Sequence, residues 1–196
     1  AGHAGKSIPC SAKSAPRKNR MIGVAAREDQ SEAVREFFQL FKTHWEFYEE
    51  SHIYEVVIAT APDFSGADAR LTIICGAGQR PLDSSGCIQT VPVDGGAFLQ
   101  TDHVEFPVYK SLSAIRGEGR HILRVKGGAD VAGMEIEKSG RRIIRVGYDL
   151  FEEVCFLLST GQPPENAAIP TLDLHIALLR SWMLDCGISL VEIPPV

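Results

Sequence analysis

A mixed α/β domain is predicted for this chain, with a small, largely parallel sheet, covering helices and a β-hairpin in the second half. Three observations carry that expectation. Tyr54-Glu55-Val56-Val57-Ile58-Ala59 and Leu71-Thr72-Ile73-Ile74-Cys75 are short, β-branched and almost continuously apolar, as strands covered on both faces are. Met134 to Glu137 alternates, Lys138-Ser139-Gly140-Arg141 supplies a turn with glycine where positive φ is needed, and Ile143 to Val146 returns. Apolar residues recur at helical spacing in three other segments.

Composition sets the outer limits. The 196 residues are 44% hydrophobic and 23% charged, with a formal net charge of −5, which is ordinary soluble globular material. Mild acidity gives no reason to expect nucleic acid or an anionic membrane as a partner, and no apolar run approaches the roughly 20 residues of a membrane span. Cys10, Cys75, Cys87, Cys155 and Cys186 are odd in number and widely separated. Cys75 and Cys155 sit in apolar runs, so buried reduced thiols and a cytoplasmic location are expected rather than a disulfide framework.

The elements follow in order. Residues 1–20 carry Lys6, Lys13, Arg17, Lys18 and Arg20 with no acidic residue, and 1–28 reads as a disordered basic tail. A basic arm for nucleic acid is the competing reading, and Met21 marks a natural start. One domain is expected over 29–193. Order is expected to begin near Asp29 and Ser31, either of which can cap a helix, and Asp29 and Glu32 have capping-box spacing. Val34, Phe37, Phe38, Phe41, Trp45 and Tyr48 fall within an arc of about 100°, the stripe of an amphipathic helix of some four turns. The stripe reads as core; a cofactor-stacking role is its rival.

Between 86 and 126 the pattern is weak, with short strands over 87–93, 97–99, 104–109 and 121–125. Asp149 and Glu152 again have capping-box spacing, and Phe151, Val154, Cys155 and Leu158 form a helical stripe ended by Gly161 and Pro163-Pro164. Asp149, Glu152 and Glu153 read as helix-capping acids rather than as paired carboxylates for acid–base chemistry. The last helix spans about Leu172 to Cys186, with Leu172, Ile176, Leu179, Met183 and Cys186 on one side. His175 flanks that side as a hydrogen-bonded packing residue. A strand over 188–193 follows, and 194–196 reads as the start of a linker to a further domain.

No compact catalytic signature is present. His44, His52, His103, His121 and His175 form no His-x-x-x-His or His-Glu-x-x-His, and the chain has no P-loop, G-x-S-x-G elbow or Asp-Asp pair. Asp102 and His103 are adjacent in a loop, a common surface pairing. Ligands in open α/β sheets bind outside the strand ends, so Asp63, Cys75, Gly76 and Gly78 are the candidate ligand-binding residues. A dinucleotide fingerprint fails because position 81 is Pro81. A nucleophile elbow at Cys75 fails because position 73 is Ile73, and no acid-supported histidine can be assigned to it. Cys75 therefore reads as a buried thiol, and no catalytic residue or cofactor is assigned.

Arg145-Val-Gly-Tyr-Asp-Leu-Phe-Glu-Glu-Val-Cys-Phe-Leu-Leu-Ser159, followed by Ile169-Pro-Thr-Leu-Asp-Leu-His-Ile-Ala-Leu-Leu-Arg180, resembles the N-terminal domain that precedes the catalytic barrel of bacterial polysaccharide-deacetylase-like proteins. Trp45-Glu-Phe-Tyr and Tyr54-Glu-Val-Val-Ile-Ala fit the same pattern. The resemblance implies a non-catalytic accessory domain that partners a downstream catalytic domain in cis, with a polysaccharide as substrate. The family's divalent metal, held by an Asp-Asp pair and a His-x-x-x-His pair, would belong to that downstream domain. No position here matches those ligands. The rival reading is a self-contained α/β ligand-binding or hydrolytic domain that uses the strand ends near Cys75.

Overall fold

The computed structural model describes residues 20–94 and 96–190. The first half runs β1 (Arg20–Ala25), α1 (Ser31–Phe41), β2 (Trp45–Phe47), β3 (Tyr54–Ala59), β4 (Leu71–Cys75) and α2 (Pro81–Ser85). Six short strands then precede the hairpin's second arm: β5 (Gln89–Val93), β6 (Ala97–Gln100), β7 (Glu105–Val108), β8 (Leu112–Arg116), β9 (Arg120–Val125) and β10 (Val131–Lys138). Strand β11 (Arg141–Val146) and helices α3 (Leu150–Ser159) and α4 (Thr171–Asp185) complete the order. Nine strands make one sheet in the order β2-β1-β3-β4-β11-β10-β9-β6-β7, and β5 pairs with β8 in a separate ribbon.

The mixed α/β expectation holds. Strands β2, β1, β3, β4 and β11 are mutually parallel, and the β10–β11 hairpin reverses the direction for the rest of the sheet. Ser139 and Gly140 at its turn have φ of 53° and 74°, the two left-handed residues of a tight hairpin turn. Inward residues Ile22, Val24, Val56, Ile58, Ile73 and Val146 share one core with Phe37, Phe38 and Phe41 of α1, Phe151 and Val154 of α3, and Met183 of α4. Alternate residues Val57 and Ala59 pack into a second core with Phe64, Ala69 and Leu82. Strands buried on both faces are why these sequences read as unbroken apolar runs. No helix among the described residues is long and apolar enough to cross a membrane.

Several expectations are corrected. Order begins inside the 1–28 tail: β1 lies between β2 and β3, and Ile22 and Val24 are buried. The run is short and broken by Gly23, which hides it, yet a Cβ at Gly23 would stand 2.9 Å from the Tyr54 ring. Residues 1–19 lie outside the described residues. The long aromatic helix stops at Phe41, where Lys42 turns left-handed with φ 55°. Trp45–Phe47 instead forms an edge strand on β1, whose ladder satisfies backbone groups that a longer helix would have satisfied internally. Trp45 still stacks on Phe38, with centroids 4.9 Å apart, so the aromatic spacing reflects a shared core rather than one helix.

Neither Ser31, which is the first residue of α1, nor Asp29 caps that helix. Asp29 lies in a 3-10 turn, Glu28–Gln30, that precedes the helix. The 86–126 region contains β8, which the sequence reading lacks, and α2 stands just before that region. Of the predicted final strand, Ile188–Leu190 carry no strand pairing, and 191–193, like the 194–196 linker, lie outside the described residues.

Gly147 is where three segments meet. Ser113 N–H donates to its carbonyl at 2.8 Å, and its own N–H donates to Ala132 O at 2.8 Å. A Cβ there would lie 2.0 Å from Ser113 O. Gly147→Ala is therefore expected to cost about 3 kcal/mol or more, because backbone rather than a flexible side chain must give way. Urea unfolding of the variant measures it, and an unchanged midpoint would contradict this packing.

Candidate functional site

The parallel strands end together at one sheet edge, formed by Ala25 to Gln30, Thr60, Cys75 to Gly78, and Tyr148 with Asp149. From β1 the chain passes to β2 on one side, and from β3 it passes to β4 on the other, so the loops after β1 and β3 diverge, the arrangement that opens a crevice in α/β folds. Two internal networks close this edge.

The first is centred on Arg145, which is fully buried on β11. Its Nε donates to Asp83 Oδ1 at 2.9 Å and its Nη2 to Asp83 Oδ2 at 3.2 Å. The remaining donors reach Gly76 O at 2.8 Å, Gly78 O at 2.6 Å and Val146 O. Asp83 also accepts from Arg80 N at 2.7 Å, which anchors the start of α2. Arg80 Nη2 donates to Cys75 O at 2.9 Å. Burial, and then the neighbouring Arg145 charge, lowers the Arg80 pKa.

The second network is centred on Asp149, the cap of α3. Its Oδ1 accepts from Phe151 N at 3.0 Å and Glu152 N at 3.1 Å, as the capping reading expects. Gln30 Nε2 and Arg27 Nη1 donate to the same carboxylate, and Thr60 Oγ1 donates to Gln30 Oε1 at 2.7 Å. The loops after β1 and β3 are thereby tied to the start of α3.

Of the four candidate ligand-binding residues, Cys75, Gly76 and Gly78 lie together at the end of β4 and on the turn after it. Asp63 is exposed on the loop after β3. The carbonyls of Gly76 and Gly78 face Arg145. Cys75 is buried, and burial together with the Asp149 charge pushes its thiol pKa up to about 12 against the opposing pull of Arg145 and Arg80. A thiol in that state is not a nucleophile at neutral pH. The described cysteines Cys75, Cys87, Cys155 and Cys186 are free. Only Cys75 is buried: Cys155 is half-buried, because α3 turns Glu153 inward rather than the 155–158 side. Asp102 and His103 are exposed. Among the described residues, no group of three or more His, Cys, Asp or Glu side chains is placed to hold a metal ion.

One buried group was less legible, and a second is as expected. Glu153 is fully buried, and its carboxylate accepts from Tyr109 N, at 3.0 Å to Oε2, and from Lys110 N. Burial raises its pKa against the pull of those amides. It latches the β7–β8 corner to α3. His175, expected as a hydrogen-bonded packing residue, is one: its Nδ1 lies 3.1 Å from Tyr148 Oη, and its ring meets Phe106 edge-on.

Beside the closed edge lies an open crevice of about 270 Å³, lined by Arg27, Gln30, Lys110, Glu152, Phe156 and Ser159 among others. Phe156 packs at a tilt of 37° on Tyr109 with centroids 5.1 Å apart, and Lys110 Nζ stands 4.8 Å from the Phe156 centroid. Sequence reasoning missed this crevice because its walls come from the β1, β7 and α3 ends, with no local motif.

Two outcomes are expected. Arg145→Met leaves Asp83 buried and unpaired and should cost about 3–5 kcal/mol, with part recovered in the Arg145→Met/Asp83→Asn double variant. Denaturant titration of the four proteins checks this, and additive losses would contradict direct coupling. His175 is fully buried, and burial lowers its pKa from 6.5 to about 4. Above the unfolded value both states are neutral. As pH falls from 6.5 towards 4 the unfolded chain takes up a proton that the folded chain refuses, so up to about 3 kcal/mol of stability is lost in that window. The raised Glu153 pKa acts in the opposite sense. His175→Gln should therefore flatten the acid loss in melting temperatures measured across the window.

No family model matches this chain, and no curated protein matches it. Solved structures do. A beta-galactosidase from Bacillus circulans sp. alkalophilus aligns over 90% of this chain and 32% of its own, at 9% identity and TM-score 0.59. The exo-beta-1,4-mannosidase Op5Man5 from Opitutaceae bacterium strain TAV5 aligns over 89% and 36%, at 10% identity and TM-score 0.55. Agd3, a carbohydrate deacetylase, aligns over 67% and 29% at 6% identity and TM-score 0.48, a likeness too slight to carry an argument. The chain thus spans about a third of the proteins it matches, and the likeness establishes the fold alone.

Proposed function

We propose that this chain is a non-catalytic accessory domain of a carbohydrate-processing protein, working in cis with a catalytic domain. The observation that carries the reading is the closed strand edge. Where an α/β enzyme keeps reacting groups accessible, Arg145, Asp83, Gln30 and Asp149 bond to one another and to the backbone, and the Cys75 thiol is buried. The larger proteins sharing the fold are carbohydrate enzymes by name, which supports the substrate class.

For the catalytic partner we take a metal-dependent polysaccharide deacetylase, on the strength of the Tyr148-Asp-Leu-Phe151 phrase, with the divalent ion held in that partner. A glycoside hydrolase with two opposed carboxylates is the second reading, favoured by the galactosidase and mannosidase likenesses. The gene beyond Val196 decides between them. A strand leading to Asp-Asp with a later His-x-x-x-His supports the first, and a barrel with paired glutamates supports the second. No catalytic domain there sinks both.

The rival, a hydrolase using Cys75, is tested by thiol labelling of the native chain. Exposed Cys87 should react within minutes while Cys75 stays unlabelled until the chain is unfolded, and Cys75→Ala should leave any activity of the intact protein unchanged. Rapid native labelling of Cys75 would favour the rival.

A further inference from the structure

We infer that the crevice beside the closed strand edge is a binding subsite for a neutral sugar ring. The inference rests on the carbohydrate reading above and deepens it by naming where a glycan would sit. Charge comes first. The ionised side chains lining the crevice are Arg27 and Lys110 against Asp29 and Glu152, two of each sign, so neither a polyanion nor a polycation gains by entering. A polyhydroxylated neutral ligand gains from both, because its hydroxyls donate to carboxylates and accept from cations, and charge-assisted hydrogen bonds are the stronger kind.

Shape and surface agree. The volume, about 270 Å³, falls just below the usual range of small-ligand sites and suits a single ring rather than a longer ligand. Phe156 supplies an aromatic wall, braced from behind by Tyr109, for the apolar C–H face that one side of a pyranose presents. Lys110 is exposed and stands over that ring, from where its ammonium can swing to donate to a ring hydroxyl. The wall is held in place from inside the protein. Glu153 grips the Tyr109 and Lys110 amides, and Asp149 fixes the Arg27 side chain, so the binding groups are already anchored and little conformational freedom is lost on binding.

The test is an NMR titration of the purified chain with short β-1,4-linked mannose, glucose and galactose oligosaccharides, with oligogalacturonate as the anionic control. Amides over 27–30, 109–110 and 152–160 should shift with at least one neutral sugar. Phe156→Leu, which keeps apolar volume but removes the ring face, should weaken that binding about tenfold or more. Glu152→Gln should weaken it too, and serves as the second variant should Phe156→Leu not fold. Shifts located elsewhere, binding of oligogalacturonate alone, or no shift with any neutral sugar overturns the subsite. A chain that binds no sugar yet is needed for activity of its catalytic partner overturns the subsite and leaves the accessory reading standing. A chain that binds sugar in this crevice and also cleaves it upholds the subsite and overturns the accessory reading.

Discussion

The buried pair between Arg145 and Asp83 is the constraint on which the sheet edge depends. Moving two charges out of water costs several kcal/mol each, and their attraction repays this only when the other donors and acceptors are also satisfied. Here they are: the guanidinium spends its remaining donors on three backbone carbonyls, and Asp83 accepts a further N–H from Arg80. Each of those partners is thereby fixed. The Gly76–Gly78 turn can leave β4 along only one path, α2 must start at Pro81, and β11 must keep the register that turns Arg145 away from the Ile144 and Val146 face. The net stability of such a pair is small; its effect lies in the alternatives it forbids, since any slip strands a charge in the core.

That constraint also shapes what the edge can do. A crevice at a strand switch point is the usual place for a ligand, but here Asp149 draws Arg27 and Gln30 across it while Thr60 completes the bridge. Space reopens farther out, between the α3 surface and the β7–β8 corner. Glu153 sets that corner. Its burial is opposed by the loss of hydration, which the raised pKa expresses, and offset by the two amides it receives. Asp149, which ties the inner loops, and Glu153, which sets the outer corner, stand four residues apart at the start of α3, so the two are linked through one helix end.

How much of this was legible follows from the range of the interactions. The β3, β4, β10 and β11 strands, the Asp149 cap and the glycine stops at Gly161 and Gly187 were read correctly because each rests on neighbouring residues, in period, cap or positive φ. Helix α1 was overextended because Phe38 and Trp45 do share a core, and periodicity cannot tell a helix from a helix followed by a strand that returns to it. Strand β1 was lost because only six residues beside a basic stretch announce it. The crevice was invisible for a different reason: Arg27, Lys110 and Phe156 meet only after the sheet is assembled, and nothing local marks any of them.

The phrase from Arg145 to Glu153, the most distinctive in the chain, can now be weighed residue by residue. Arg145 plugs the β4 turn, Gly147 admits the Ser113 carbonyl, Tyr148 bonds His175, Asp149 ties the loops after β1 and β3 to α3, Phe151 fills the core beneath α1, and Glu153 latches a corner. Each role is architectural and each is demanding, because a buried charge, a close backbone contact or a cap tolerates few substitutes. A sequence likeness concentrated in such a phrase speaks for a common scaffold, and scaffolds outlive changes of chemistry. The phrase therefore accounts for how this fold is held together, and by itself it names no reaction.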